Sequence, residues 1–157
     1  MIIKTVVDED FSNYKKPSML IGMPYCTFKC DKECGQQVCQ NSALATTPNI
    51  EVNPMDLIAR YENNNLTQAV VFGGLESFDS WTDLYNFIFL FRSVSDDDVV
   101  IYTGYTKCEI ADKVKQLKQF PNIIIKFGRY IPNQQPHYDE ILGVDLASDN
   151  QYAERIS

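Results

Sequence analysis

Four of the five cysteines fall within one short stretch, Tyr25 to Ser42, which reads YCTFKCDKECGQQVCQNS. Cys26, Cys30, Cys34 and Cys39 are separated by three, three and four residues. Thiols this close together chelate a metal, cross-link, or carry out redox chemistry. Zinc favours ligands paired as C-x2-4-C on two separated knuckles, whereas here all four sulfurs share one loop; zinc stays an alternative. A disulfide pair suits an oxidising compartment. Four independent core cysteines do not belong in a run carrying Lys29, Lys32, Gln36 and Gln37. An iron–sulfur cluster asks for several thiolates converging from a short flexible loop, with donors nearby that tune its potential. Thr27, Gly35, Gln36, Gln37 and Asn41 furnish such a loop, and a cluster is the reading the stretch favours.

Other reactive residues are sparse. His137 is the only histidine, so a Cys–His nucleophilic pair has one candidate base. Cys108 lies at a helix start, where a thiol pKa can fall, but a small residue in a capped turn is the plainer reading. Lys126 and Arg129 are cations near a strand end, where a carboxylate would sit.

The elements that must position the loop read as alternating strands and helices. Ser18–Gly22, Ala69–Phe72, Val99–Thr103 and Ile123–Phe127 are short apolar runs without helical length, the pattern of buried parallel strands. Asn53-Pro54 opens one helix, with Leu57, Ile58 and Tyr61 on its inner face. Ser80 and Asp83 form a capping box before a second, whose aromatics Trp81, Tyr85, Phe87, Phe89 and Phe91 are expected in the core, with Phe87 or Phe89 at an interface. Thr106 and Glu109 form another box before a third, with Ile110, Val114 and Leu117 inward. Met1–Val7 reads as an edge strand, Asp8–Pro17 as a polar connection, and Leu142–Val144 as a short final strand. The repeat predicts an α/β fold: a mainly parallel sheet with right-handed crossover helices. A closed eight-unit barrel takes ~250 residues, so an open doubly wound sheet and a partial barrel both remain.

Length and charge bound the rest. At 157 residues the chain reads as a single domain, 1–157, able to bury a core without disulfide help. Its 45% hydrophobic and 12% aromatic content excludes wholesale disorder. A net charge of −7 leaves no electrostatic footprint for nucleic acid or an anionic membrane. The acidic run beginning at Asp8 is unlike a signal peptide, and no apolar run approaches ~20 residues. A cytoplasmic, reducing location is the expectation.

Several motifs carry a family resemblance. A strand leading into Cys26-x3-Cys30, with Cys39-Gln40-Asn41 beyond it, resembles the radical S-adenosylmethionine enzymes. More narrowly, it is similar to the small activating proteins of anaerobic ribonucleotide reductase. Gly73-Gly74-Leu75-Glu76 resembles the superfamily's GGE motif with one residue inserted. Val100-Ile101-Tyr102-Thr103-Gly104-Tyr105 is similar to the I-Y-T-G-Y stretch of the activating proteins. Phe127-Gly128-Arg129-Tyr130-Ile131 resembles their D-G-R-F-I, and Ser148-Asp149-Asn150-Gln151 their S-S-N-Q ending. The superfamily's C-x3-C-x2-C spacing is not kept. With Cys39 as third ligand the spacing is C-x3-C-x8-C; with Cys34 it is C-x3-C-x3-C and the following x-Asn is lost.

The resemblance implies a partial, open βα barrel holding a [4Fe-4S] cluster on Cys26, Cys30 and Cys39, with Cys34 as an alternative or extra ligand. It implies reductive cleavage of S-adenosylmethionine to a 5′-deoxyadenosyl radical, used to install a glycyl radical on a partner enzyme. An electron donor such as flavodoxin or ferredoxin would supply the reducing equivalent. By the same resemblance Gly73 and Gly74 approach the methionine moiety, Glu76 accepts from its ammonium, Thr103 contacts the ribose, and Val38 lies near the adenine, with Asn41 beside it. A radical enzyme acting on a metabolite or peptide, and a zinc- or cluster-binding module without redox chemistry, are the alternatives.

Overall fold

Four runs of β-branched and aromatic residues are buried on both faces because the chain returns to the sheet through crossovers on one side and irregular segments on the other. The computed structural model describes all of residues 1–157. The central strands are β3 (Ser18–Met23), β5 (Ala69–Gly74), β6 (Asp98–Tyr102) and β7 (Ile123–Phe127), and each pairs in parallel with the next. Two antiparallel strands complete the six-stranded sheet. At one edge β2 (Thr5–Asp10) pairs with β3; at the other β10 (Tyr152–Arg155) pairs with β7. The order is β10-β7-β6-β5-β3-β2.

Alternation along the strands divides the core. Ile21, Phe72, Ile101 and Ile125 point to the face covered by α3 (Pro54–Glu62), α4 (Trp81–Phe91) and α5 (Ala111–Leu117). Val71, Val100 and Ile124 point to the other face, where Tyr14, Leu142 and Leu146 cover them. That second cover includes the loop before β3 and a hairpin of β8 (His137–Asp139) and β9 (Val144–Leu146). No helix is long and apolar enough to cross a membrane.

Several local expectations are corrected. The N-terminal segment makes two strands: β1 (Ile2–Ile3) pairs with β4 (Ile50–Glu51), and β2 continues through the acidic residues 8–10. Charges are tolerated there because β2 is an edge strand. Ser80 makes no cap hydrogen bond, and Asp83 instead accepts from the Ile2 N–H at 3.0 Å. A 3-10 turn, Ser77–Ser80, intervenes, and the Glu76 carboxylate caps it through the Phe78 N–H at 3.1 Å. Within α4, Phe87 is wholly buried while Phe89 is 62% exposed. The segment after Phe127 ends in β10, a strand beyond the one expected near Leu142–Val144.

Candidate functional site

A parallel sheet delivers the C-terminal ends of its strands to one edge, and ligands of open α/β sheets bind there. In this chain the cysteine segment leaves that end of β3, Gly73-Gly74 that of β5, Thr103-Gly104 that of β6, and Gly128-Arg129 that of β7. A cavity of about 480 Å³ opens between them. The thiols of Cys26, Cys30 and Cys39 contribute to its lining, as do Glu76, Thr103 and Lys126.

The cysteine segment is not a bare loop. It contains α1 (Lys29–Cys34) and α2 (Ser42–Ala45), neither of which buries a residue. Phe28, which precedes α1, sits in left-handed backbone at φ 52°, a strained conformation for a bulky side chain. Its N–H donates to Cys26 Sγ at 3.3 Å. The turn carrying the third thiol is fixed by Asp31, whose Oδ1 accepts from the N–H groups of Val38 and Cys39, both at 2.8 Å. Cys34, at the end of α1, is half-buried and outside the cavity lining.

The segment is tied to the strand ends. Asn41 donates to the Gly74 carbonyl at 2.7 Å, and the Glu76 N–H donates to the Tyr25 carbonyl at 2.9 Å. Gly74 lies at φ 79°, and a Cβ there would sit 2.7 Å from Leu44 Cδ2 in α2. The positive φ favours glycine at this turn, and a side chain there would also have to displace Leu44. On the far side, Arg129 reaches Glu109 with both terminal nitrogens, at 2.9 and 2.6 Å, and its Nε lies 3.2 Å from Glu33 of α1. Lys29 of α1 lies 3.3 Å from the same Glu109 and 4.5 Å from the Tyr105 ring centre. Glu109 still reaches back to the Thr106 N–H at 2.8 Å, but its carboxylate also anchors this network.

Glu76 is the most constrained acid. It is 8% exposed, its Oε1 accepts from Thr103 Oγ1 at 2.6 Å and from Phe78 N, and its Oε2 accepts from Gly104 N at 2.8 Å. Burial pushes its carboxyl up, while the three donors favour the ionised form. One acceptor site on Oε2 is left for a further donor. Thr103 is thus occupied as a support for Glu76, and it also accepts from Tyr105 N at 3.0 Å. Val38 spends its N–H on Asp31 and lies outside the cavity lining, whereas Gly73, Gly74, Asn41 and Glu76 line it.

Burial raises the Cys26 thiol to about 11, against the opposing Phe28 N–H. Cys30 is raised too, by burial first, with the Tyr130 N–H and the charges of Arg129 and Lys126 acting the other way. Burial brings the Lys126 ammonium down to about 8. Metal loading must therefore displace thiol protons. No three His, Cys, Asp or Glu side chains gather around a single-ion position. Cys26, Cys30 and Cys39 lining one cavity offer the donor type of an iron–sulfur cluster, which spreads its sulfur ligands over several irons. The residues present fit that group, and Cys26, Cys30 and Cys39 are the ones that would hold it.

Asp31, Gly104 and Tyr130 were not legible as site residues. Asp31 acts seven and eight positions downstream, and no local motif links those positions. His137 lies in β8, with Nδ1 buried and unpartnered, and is not among the cavity residues.

No curated protein and no solved structure matches the chain. Residues 18–151 match the family described as "4Fe-4S single cluster domain". A 4Fe-4S cluster-binding domain is therefore present. Because the match begins at the first residue of β3 and runs without a break past the last strand end that borders the cavity, the chain belongs to the family of 4Fe-4S single cluster domains.

Proposed function

We propose that the domain binds S-adenosylmethionine beside its cluster and cleaves it to methionine and a 5′-deoxyadenosyl radical. That radical abstracts a hydrogen atom from a glycine of a partner enzyme of the anaerobic ribonucleotide reductase type. The observation that carries this reading is the meeting in one cavity of three thiols from the cysteine segment with Gly73, Gly74 and Glu76 from the end of β5. The same reading takes the sheet as a short, open partial βα barrel of the radical S-adenosylmethionine type.

When bound, a cluster on three cysteines keeps one iron free for the ligand and, reduced by a donor such as flavodoxin or ferredoxin, supplies one electron to the sulfonium. The chain's own residues bind and orient. Glu76, fixed by Thr103, Gly104 and Phe78, offers its remaining acceptor site to the ligand ammonium. Gly73 and Gly74 present backbone at close range, and Asn41 holds Gly74 against the thiol segment. Thr103 acts through Glu76.

The test is anaerobic reconstitution with iron and sulfide, reduction, addition of S-adenosylmethionine and assay of 5′-deoxyadenosine. The expected result is four irons per chain and release of 5′-deoxyadenosine. One zinc per chain with no iron uptake and no cleavage product would overturn the reading in favour of a binding module.

A further inference from the structure

Cys26 is gripped on both sides by one turn. The Tyr25 carbonyl before it accepts from the Glu76 N–H at 2.9 Å. The Thr27 N–H after it donates to Asp79 Oδ2 at 3.0 Å. Glu76 caps the 3-10 turn, Asp79 lies within it, and the Asp79 N–H returns to the Glu76 carbonyl at 3.2 Å. Cys39, by contrast, takes its anchor from Asp31 within its own segment.

The second oxygen of Asp79 is engaged as well. Its Oδ1 accepts from Tyr105 Oη at 2.7 Å, and Tyr105 follows the end of β6. The Tyr105 ring in turn carries Lys29 Nζ at 4.5 Å and the Arg129 guanidinium at 5.8 Å from its centre. Charge is thereby divided across the site. The charged side chains acting on Cys26 are the carboxylates Glu76 and Asp79, and those acting on Cys30 are the cations Arg129 and Lys126. Asp79 lines a separate cavity of about 530 Å³ and not the one between the strand ends, so its charge is not spent on a ligand there.

The reduction potential of a cluster follows the charge and hydrogen bonding around its sulfurs, and negative charge nearby opposes the gain of an electron. We propose that Asp79 is a positioning residue for the Cys26 sulfur and that its charge holds the reduction potential of the bound cluster down, with Tyr105 moderating that charge. The step concerned is the gain of one electron from a donor, with no bond formed or broken. The role follows from cluster binding alone and takes nothing from the S-adenosylmethionine reading.

The test is a redox titration of anaerobically reconstituted protein with titanium(III) citrate, read by electron paramagnetic resonance, with iron counted and no S-adenosylmethionine present. Asp79→Asn keeps the shape and an oxygen acceptor for Thr27 but removes the charge, so iron should be retained and the midpoint should rise. Tyr105→Phe keeps the carboxylate and removes its donor, so the midpoint should fall. Opposite shifts are the signature of charge, since a loosened turn would move both variants the same way. A midpoint in Asp79→Asn that is unchanged or falls, or shifts of one sign in both variants, would overturn the proposal. Should Asp79→Asn lose iron, Tyr105→Phe decides alone, and a midpoint that does not fall overturns it. Failure of the wild-type protein to cleave S-adenosylmethionine would sink that reading and leave this result standing.

Discussion

The identity of the third thiol turns on single residues. Asp31 pins the backbone of Val38 and Cys39, and Cys39 lines the same cavity as Cys26 and Cys30, while Cys34 ends α1 outside that lining. Cys39→Ala should therefore strip most of the iron from reconstituted protein, and Cys34→Ala should keep it, as read by iron content and the cluster absorption band. The reverse pattern would mean that Cys34 is the ligand. The sequence brought these residues into view by type but not by rank. Spacing treats Cys34 and Cys39 as near equals, because the short helix α1 that ends on Cys34 cannot be read from a polar Lys- and Gln-rich run. Lys126 was visible only as a cation near a strand end. Its burial depends on the Gly128 turn and on residues more than twenty positions downstream.

At the scale of elements, the strands were legible because each is a short β-branched run with no competing helical period. β3, β5, β6 and β7 lie where their apolar runs lie. β10 was not legible, since Tyr152–Arg155 alternates exposed and covered residues at an edge and carries charge. The Thr106 and Glu109 side chains do meet, but in the turn before α5, whose N-cap is Ile110 without a side-chain hydrogen bond, so they do not cap that helix. The larger role is tertiary, as Glu109 fastens α1 to the end of β7 through Arg129 and Lys29. Hydrogen bonding to Arg129 leads in holding the Glu109 carboxyl far below the usual carboxylate range. Glu109→Gln leaves a largely buried guanidinium with only the exposed Glu33 as a charged partner. Because Glu109 is partly solvated, the loss should be modest, about 1–2 kcal/mol. Urea midpoints at low and high salt check it: the difference between variant and wild type should shrink as salt rises. An unchanged midpoint at both would show that the network does not hold α1.

At the scale of the molecule, the two ends of the sheet do different work. The C-terminal edge carries the site, and the opposite edge carries a buried electrostatic lock. Asp98, at the start of β6, receives Tyr14 Oη at 2.9 Å, Lys16 at 2.5 Å and Arg155 at 2.8 Å, joining the second-face cover and the last strand to the centre of the sheet. Burial alone would raise its carboxyl, but hydrogen bonds from Lys16, Arg155 and Tyr14 outweigh burial and leave it below its ordinary value. With the folded value depressed, the contribution is complete well above the unfolded value near ~4 and is lost as pH falls through the folded one. Asp98→Asn should lower the melting temperature at pH 7 and flatten its decline below about pH 4. A variant melting curve parallel to wild type across that range would remove Asp98 from the acid response.

The cysteine segment presents a contrast with this lock: α1 and α2 bury no residue and are fastened by hydrogen bonds and ion pairs at their margins. Helices without a fully buried residue open at a lower free energy than the sheet to which they are tied. In iron-free protein the segment's amides should exchange with solvent long before those of β5 and β6, and loading iron should slow exchange there selectively. Uniform protection across loop and sheet in the iron-free state would contradict this. With exchange in that order, the sheet is the folded scaffold and cofactor arrival is itself the step that closes its reactive end.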